Sequence, residues 1–275
     1  MLSNVMVGIN TYAKDMEFNE DMVRHMILNS LRSYRTKFGP EYGELILCYD
    51  APNSWRKEVF PFYKANRKKK RNADSYDWNA IFKYLNQIKA EIHENFPYAF
   101  IQVDRAEADD VIATLINHQV TPGKTLIISG DKDFIQLQSA GDDSVSQYSP
   151  VQKTFITDDN PSKYLFEHCI RGDASDGVPN FLSGDDALVS GTRQKQIRES
   201  KLAEWMMDPA TMHAPLFCRN YKLIALRKTT IPENIQSAIL DTYIQEQDKK
   251  SDRSLLLPYF IKNKLMNLMD VIHEF

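Results

Sequence analysis

The sequence predicts an α/β fold, a parallel sheet flanked by helices with a helical lobe following it, and three observations carry that prediction. Short, unbroken apolar runs occur at Leu45–Tyr49, Ala99–Val103 and Leu126–Ser129, the pattern of strands buried on both faces. Stretches with helical apolar spacing alternate with these runs as far as about Leu137, which is the order that parallel topology demands. Beyond Asn160 the strand signals stop and the pattern is helical, broken at Pro161, Pro209, Pro215 and Pro232. A chain of 275 residues, 43% of them hydrophobic, can bury a large core as one extended domain or as two lobes.

Glu20–Phe38 reads as an amphipathic helix, with Met22, Val23, Met26, Ile27, Leu31 and Tyr34 on one stripe. The first of the three strands then delivers Asp50, and a basic, aromatic segment follows to about Asp77. Trp78–Asn95 forms a second long helix with Ile81, Tyr84, Leu85, Ile88 and Ile92 inward. After the Ala99–Val103 strand, Glu107, Asp109 and Asp110 open a helix whose apolar positions are Val111, Ile112, Leu115 and Ile116. The third strand ends at Gly130, Asp131, Lys132 and Asp133. Val145–Ile156 suggests a hairpin around Ser149-Pro150, and Ser162–Arg171 a helix. The expected division falls near residue 158, between lobes 1–158 and 159–275.

Acids gather where ligands gather in open α/β sheets, outside the carboxyl ends of strands. Asp131 and Asp133 alternate at the exit of a buried strand, where unpaired carboxylates are costly and raise each other's pKa. A bound cation answers that cost, and so does a solvated loop in which Asp131 caps a helix beginning near Lys132. For Glu107, Asp109 and Asp110 the alternative is the helix dipole, which favours acids in a first turn. Asp173 and Asp176, in Gly-Asp-Ala-Ser-Asp-Gly, match ordinary turn chemistry as well. Together, an oxygen-only set suits magnesium or manganese: the cysteines Cys48, Cys169 and Cys218 are scattered, and no two of the six histidines stand at i,i+4. Two ions about 4 Å apart, clamping the attacking and leaving oxygens of a phosphodiester, need such a surplus of carboxylates.

Net charge is only −3, so bulk composition announces no polyanion partner. The local run from Trp55 to Arg71 does, interleaving Arg56, Lys64, Arg67, Lys68, Lys69, Lys70 and Arg71 with Trp55, Phe60, Phe62 and Tyr63. Backbone neutralisation and base stacking call for that mixture, and a solvated basic linker is the alternative. No run of about 18 apolar residues offers a membrane span. Residues 1–10 lack the charged region of a signal peptide, and three cysteines at unrelated spacings point to free thiols in a reducing cytoplasm.

Tyr63-Lys64-Ala65-Asn66-Arg67, Glu107-Ala108-Asp109-Asp110, Ser129 to Leu137 and Gly172 to Asp176 resemble, in order, the successive motifs of the 5′-nuclease family. That family comprises flap endonucleases, the 5′-nuclease domain of bacterial DNA polymerase I, and phage 5′ exonucleases. The likeness extends to Met22–Ser30, Ile231–Ile235 and Ile272–Phe275, and points to the phage branch that removes RNA primers from lagging-strand fragments. It implies a PIN-like nuclease domain over 1–158, a helical arch at about 53–77, and a helical DNA-binding domain over 159–275. The implied activity is magnesium-dependent 5′→3′ exonuclease and flap endonuclease action, including ribonuclease-H-like cleavage of RNA–DNA hybrids, with manganese able to substitute at the two ions.

By the same resemblance Asp50, Glu107, Asp109, Asp110, Asp131 and Asp133 surround the metals, with Asp173 and Asp176 as outer acids of the second ion. Lys64 and Arg67 act at the scissile region beside Asp50, Asp131 and Asp133; Arg56 lies at the base of the arch and Tyr63 is either a stacking surface or arch packing. Gly184 and Gly191 do not form the Gly-rich turn of many relatives, so duplex contact is expected from Arg193, Lys195, Arg198 and Lys201 instead. The implied partners are DNA or RNA–DNA hybrid with a 5′ end or flap, and replication proteins such as a single-strand-binding protein or sliding clamp. The implied setting is a monomer in the host cytoplasm. The family's first-strand aspartate falls at Met1 here. The expectation is therefore a lost upstream strand, and the alternative function a catalytically impaired, structure-selective nucleic-acid-binding protein of the same fold.

Overall fold

The computed structural model describes residues 19–67, 77–120, 122–138, 144–248 and 253–275. Residues 1–18, where the first-strand expectation falls, and the cations Lys68, Lys69, Lys70 and Arg71 lie outside that description. Helix α1 spans Glu20–Tyr42 and begins where the Asn19 side chain accepts a hydrogen bond from the Met22 amide at 3.0 Å. It runs past the expected end at Phe38, through Pro40, because Gly43 adopts a φ of 79° and returns its N–H to Gly39 O at 2.8 Å. Helix α2 is the single turn Arg56–Val59. Helix α3, Trp78–Asn95, has the expected bounds: Asp77 caps it through the Ala80 amide at 3.0 Å, and Ile81, Ile88 and Ile92 are buried.

Strands β1 (Ile46–Cys48) and β2 (Ala99–Ile101) pair in parallel, Ile46 opposite Ala99 and Cys48 opposite Ile101. Strand β3 (Thr125–Ile128) pairs in parallel with β4 (Val145–Ser149), and β5 (Thr154–Ile156) returns antiparallel to β4, which is the expected hairpin. Among the described residues the strands therefore form two small sheets. Helix α4 (Ala108–Asn117) lies between β2 and β3 in sequence, opened by a capping box in which Glu107 and Asp110 exchange side-chain and backbone bonds. Helices α5 (Pro161–Arg171), α6 (Glu199–Met207), α7 (Pro215–Ile224), α8 (Glu233–Gln247), α9 (Leu256–Lys262) and α10 (Met266–Met269) follow.

The core divides into three clusters, and residues from both sides of position 158 build each one. Val23, Leu28, Ile88 and Ile92 pack with Tyr259, Phe260 and Phe275. Trp55, Ile101, Val111 and Ile127 pack with Ile231, Ile235 and Ile239. Phe60 and Tyr63 pack with Leu165, Ile170, Phe217 and Leu223. The segment after β1 is thereby clamped between α4 and the helical half, which brings the exits of β1 and β3, the start of α4 and the turn after α5 to one place.

Candidate metal centre and its cationic rim

The floor of the site is an ion pair. Arg56 is 2% exposed and Asp110 fully buried. Their two-pronged contact runs from Arg56 Nη2 to Asp110 Oδ1 at 2.8 Å and from Nη1 to Oδ2 at 2.9 Å. Arg56 Nη1 also reaches Glu107 Oε2 at 3.0 Å, and Nε donates to Leu223 O at 2.8 Å. Trp55 Nε1 and the Glu107 amide complete the set around Asp110 Oδ2, at 3.1 and 3.0 Å. Burial works against the guanidinium charge, and Asp110, Tyr63 and Glu107 together more than offset it, so the Arg56 pKa is raised. The structure thus places Arg56 inside the protein and gives both Asp110 oxygens to the interior, where they hold the start of α4 in place.

Above this floor Asp109, Asp133, Asp173 and Asp176 line a cavity open to solvent on one side, together with Arg56 and Tyr63. Burial, then the neighbouring charge of Asp131, pushes the Asp133 carboxyl up to about 8, with Asp173 and Asp109 adding to it. The same two causes push Asp109 up to about 7. Asp131 also performs its alternative role: its Oδ1 accepts the Asp133 amide at 3.0 Å and caps the 3₁₀ turn Lys132–Leu137. Asp173 organises its own turn, taking bonds on Oδ1 from Ser175 N and Oγ at 2.7 Å and from Asp176 N at 3.3 Å. Asp50 is exposed and accepts the Ala108 amide on Oδ1 at 2.7 Å, tying the end of β1 to the start of α4.

The rim is cationic. Lys64 pairs with Glu107 Oε1 and stands 3.4 Å from Asp176 Oδ2, and Arg67 pairs with Asp176 Oδ1. Burial opposes the Asp176 charge, but Lys64 and Arg67 hold its carboxyl below the usual range. Tyr63 is 4% exposed, with its hydroxyl 2.8 Å from both Glu107 Oε2 and Asp176 Oδ2, donating to one at a time. Of its two expected roles, the structure places it in the packed interior. Lys64 holds a φ of 56°, and its amide donates to Asp176 O at 2.7 Å. That close approach requires Gly177, where a Cβ would lie 2.7 Å from Phe62 O. Arg193, Lys195, Arg198 and Lys201 are exposed around the start of α6.

One member of the site escaped the sequence reading. His168, on α5, places Nδ1 3.4 Å from Asp133 Oδ1, and the ligand atoms of Asp133, His168 and Asp173 all lie within 4.8 Å of one another. Burial lowers the His168 pKa against the pull of Asp173, Asp131 and Asp176. His168 stands five positions before Asp173, on the helix that delivers that turn, a spacing that carries no motif. Crowded carboxylates with raised pKa values, together with a neighbouring imidazole, are a donor set that fits a divalent ion. Among the described residues no helix is long and apolar enough to cross a membrane.

The family model described as 5′-3′ exonuclease, N-terminal resolvase-like domain, matches residues 12–164, and that described as T4 RNase H, C terminal, matches residues 161–275. The chain is 31% identical to the ribonuclease H of Enterobacteria phage T4, over 94% of this chain and 88% of that protein. It is 35% identical to the flap endonuclease Xni of Shewanella pealeana over 46% of this chain and 44% of that one. Among solved structures, the flap endonuclease of bacteriophage T5 in complex with DNA and metal ions superposes with a TM-score of 0.63 at 15% identity, covering 89% of this chain and 97% of that one.

Proposed function

The chain belongs to the 5′-3′ exonuclease family, and on that premise we propose that it is a magnesium-dependent 5′ nuclease that removes RNA primers and adjacent DNA during lagging-strand replication. The observation that carries the reading is the convergence of Asp109, Asp133, Asp173 and Asp176 on one cavity, two of them held above the usual carboxylate range. Asp109, Asp131, Asp133 and Asp173 would hold two magnesium ions, which manganese can replace, with Asp50 and Glu107 at the margin of the group. Bound there, the ions would neutralise charge on the phosphodiester and lower the pKa of the attacking water.

The chain's own residues do the rest. Lys64 and Arg67, now paired with Glu107 and Asp176, exchange these acids for the scissile phosphate and stabilise the charge that develops on it. Arg56 and Asp110 keep the start of α4, and with it Glu107 and Asp109, in register. Arg193, Lys195, Arg198 and Lys201 contact duplex backbone on the helical half, 159–275, which serves as the DNA-binding domain. Lys68, Lys69, Lys70 and Arg71 extend the same contact along the arch. The substrates are RNA–DNA hybrids and DNA with a 5′ end or flap; the chain acts as a monomer beside a single-strand-binding protein or sliding clamp, and the similarity to a phage protein supports the host cytoplasm as its setting.

The test is cleavage of a 5′-labelled RNA–DNA hybrid and of a 5′-flap substrate, with magnesium and with EDTA. Magnesium-dependent release of short 5′ products is the expected result. Tight, structure-selective binding without cleavage would replace this reading with that of an impaired binding protein of the same fold.

A further inference from the structure

We propose that His168 is a ligand of the divalent ion held by Asp133 and Asp173, and that its nitrogen gives this site a selectivity for manganese over magnesium that oxygen ligands alone would not supply. The inference rests on the metal-dependent reading above and adds which ion the site prefers. Its starting point is the separation of His168 Nδ1 from Asp133 Oδ1, 3.4 Å. A charge-assisted hydrogen bond between those atoms would settle at about 2.8 Å. Donors sharing a first-row ion at about 2.1 Å instead stand about 3 to 4 Å apart, the spacing found here.

The third donor is set by the same helix. Helix α5 ends at Gly172, whose φ of 68° turns the chain so that Asp173 lies alongside His168. There the three donor atoms fall within 4.8 Å of one another. A Cβ at Gly172 would sit 2.5 Å from Val178 O, so this reversal belongs to glycine. Three donors around Asp173 Oδ1 fix the carboxylate, and the Tyr164 ring packs edge-on against the imidazole with centroids 5.8 Å apart. The imidazole side chain is only 16% exposed. Magnesium demands a near-ideal oxygen octahedron and releases its waters reluctantly, whereas manganese shares its oxygen ligands but, as the first member of the transition series in which imidazole is a regular ligand, loses less by exchanging one oxygen for nitrogen.

Spin-echo modulation of Mn²⁺ bound to the metal-depleted full chain reads the nitrogen directly. In the wild type we expect ¹⁴N modulation that converts to the ¹⁵N pattern when histidine alone is ¹⁵N-labelled, and that disappears in His168→Gln. Calorimetric titration with each metal should show the Mn²⁺:Mg²⁺ affinity ratio falling about tenfold in the same variant. Should His168→Gln fail to fold, the isotope pair on the wild type decides, because none of the other five histidines stands in such a group with acids among the described residues. Bound manganese without histidine-nitrogen modulation, or modulation unchanged in His168→Gln, would overturn the ligand assignment and leave the nuclease reading intact. Manganese binding that is indifferent to Asp133→Asn would overturn the metal site itself.

Discussion

Neutralising Asp133 removes a charge that the metal-free fold carries at a cost, since burial and the nearby Asp131 push its carboxyl up to about 8 and Asp109 rises to about 7. A carboxyl whose folded pKa lies above its unfolded value of about 4 favours the folded state most below that value. That contribution is lost as pH rises through the folded pKa. In EDTA the melting temperature should therefore fall between pH 5 and pH 9, and Asp133→Asn should flatten the fall and melt higher than wild type at pH 8. Magnesium-dependent cleavage by the variant should drop at least about a hundredfold if the proposed ions sit there, because the amide no longer offers a charged oxygen ligand. A variant with wild-type cleavage would exclude Asp133 from the metal site. Arg56 is the opposite case. Arg56→Met leaves Asp110 buried without its partner, so thermal or urea unfolding should show a loss of about 3–5 kcal/mol. A DNA-contact role alone would instead leave stability unchanged and weaken binding.

At the scale of elements, the turn of residues 173–177 docks on the segment that follows α2, through Lys64 N to Asp176 O and the absent side chain of Gly177. Two sets of cations sit on different elements as a result, one beside the acids and one at α6. Lys64→Ala and Arg67→Ala should lower the single-turnover rate more than affinity, because a cation at the scissile phosphate matters most in the transition state. Replacing Arg193, Lys195 and Arg198 together should weaken binding and make the salt dependence shallower by about 0.7–0.9 for each phosphate left without its cation. The reverse split would exchange the two assignments. Much at this scale was legible in the sequence: Asp77 and the spacing of Ile81, Ile88 and Ile92 bounded α3, and the Ser149-Pro150 turn within Val145–Ile156 marked the hairpin. Asp131 and Asp133 were legible because acids at a strand exit are conspicuous. The interior position of Arg56 was not, since its charged and carbonyl partners stand 51 to 167 positions away, and Tyr63 stayed between stacking and packing because its partners stand 44 and 113 positions away. A basic, aromatic run reads the same whether it faces solvent or lies under a helix. His168 was hidden for a related reason: a lone histidine in a helix has no motif until folding brings Asp133 beside it.

For the whole molecule, the two family models meet at residues 161–164, yet the packing does not divide there. Phe275 is fully buried, with its ring centroid 5.7 Å from that of Phe96 and 5.2 Å from that of Phe260. Phe275→Ala should cost about 3–5 kcal/mol in chemical unfolding, the usual loss for a buried aromatic in a core. A fragment of residues 1–158 should show no cooperative melting, because α1 and α3 would present to water the faces that α9 and α10 cover. A fragment that melted sharply near the intact protein would make residues 1–158 an independent unit.

The bond from Tyr259 Oη to Glu91 Oε2, 2.8 Å long, joins positions 168 apart in the chain, and Arg35 reaches His273 O across 238. Contacts of that reach make folding slow, since the entropy of closing so long a loop is lost before the contact can repay it. During synthesis the helices around Val23 and Ile88 emerge long before the residues that seal them, so their apolar faces remain open to wrong partners for that interval. The acids of the metal centre are made early as well, but the helices that hold their turn against Lys64 arrive late. The candidate metal centre is thereby completed only once the molecule has closed on itself.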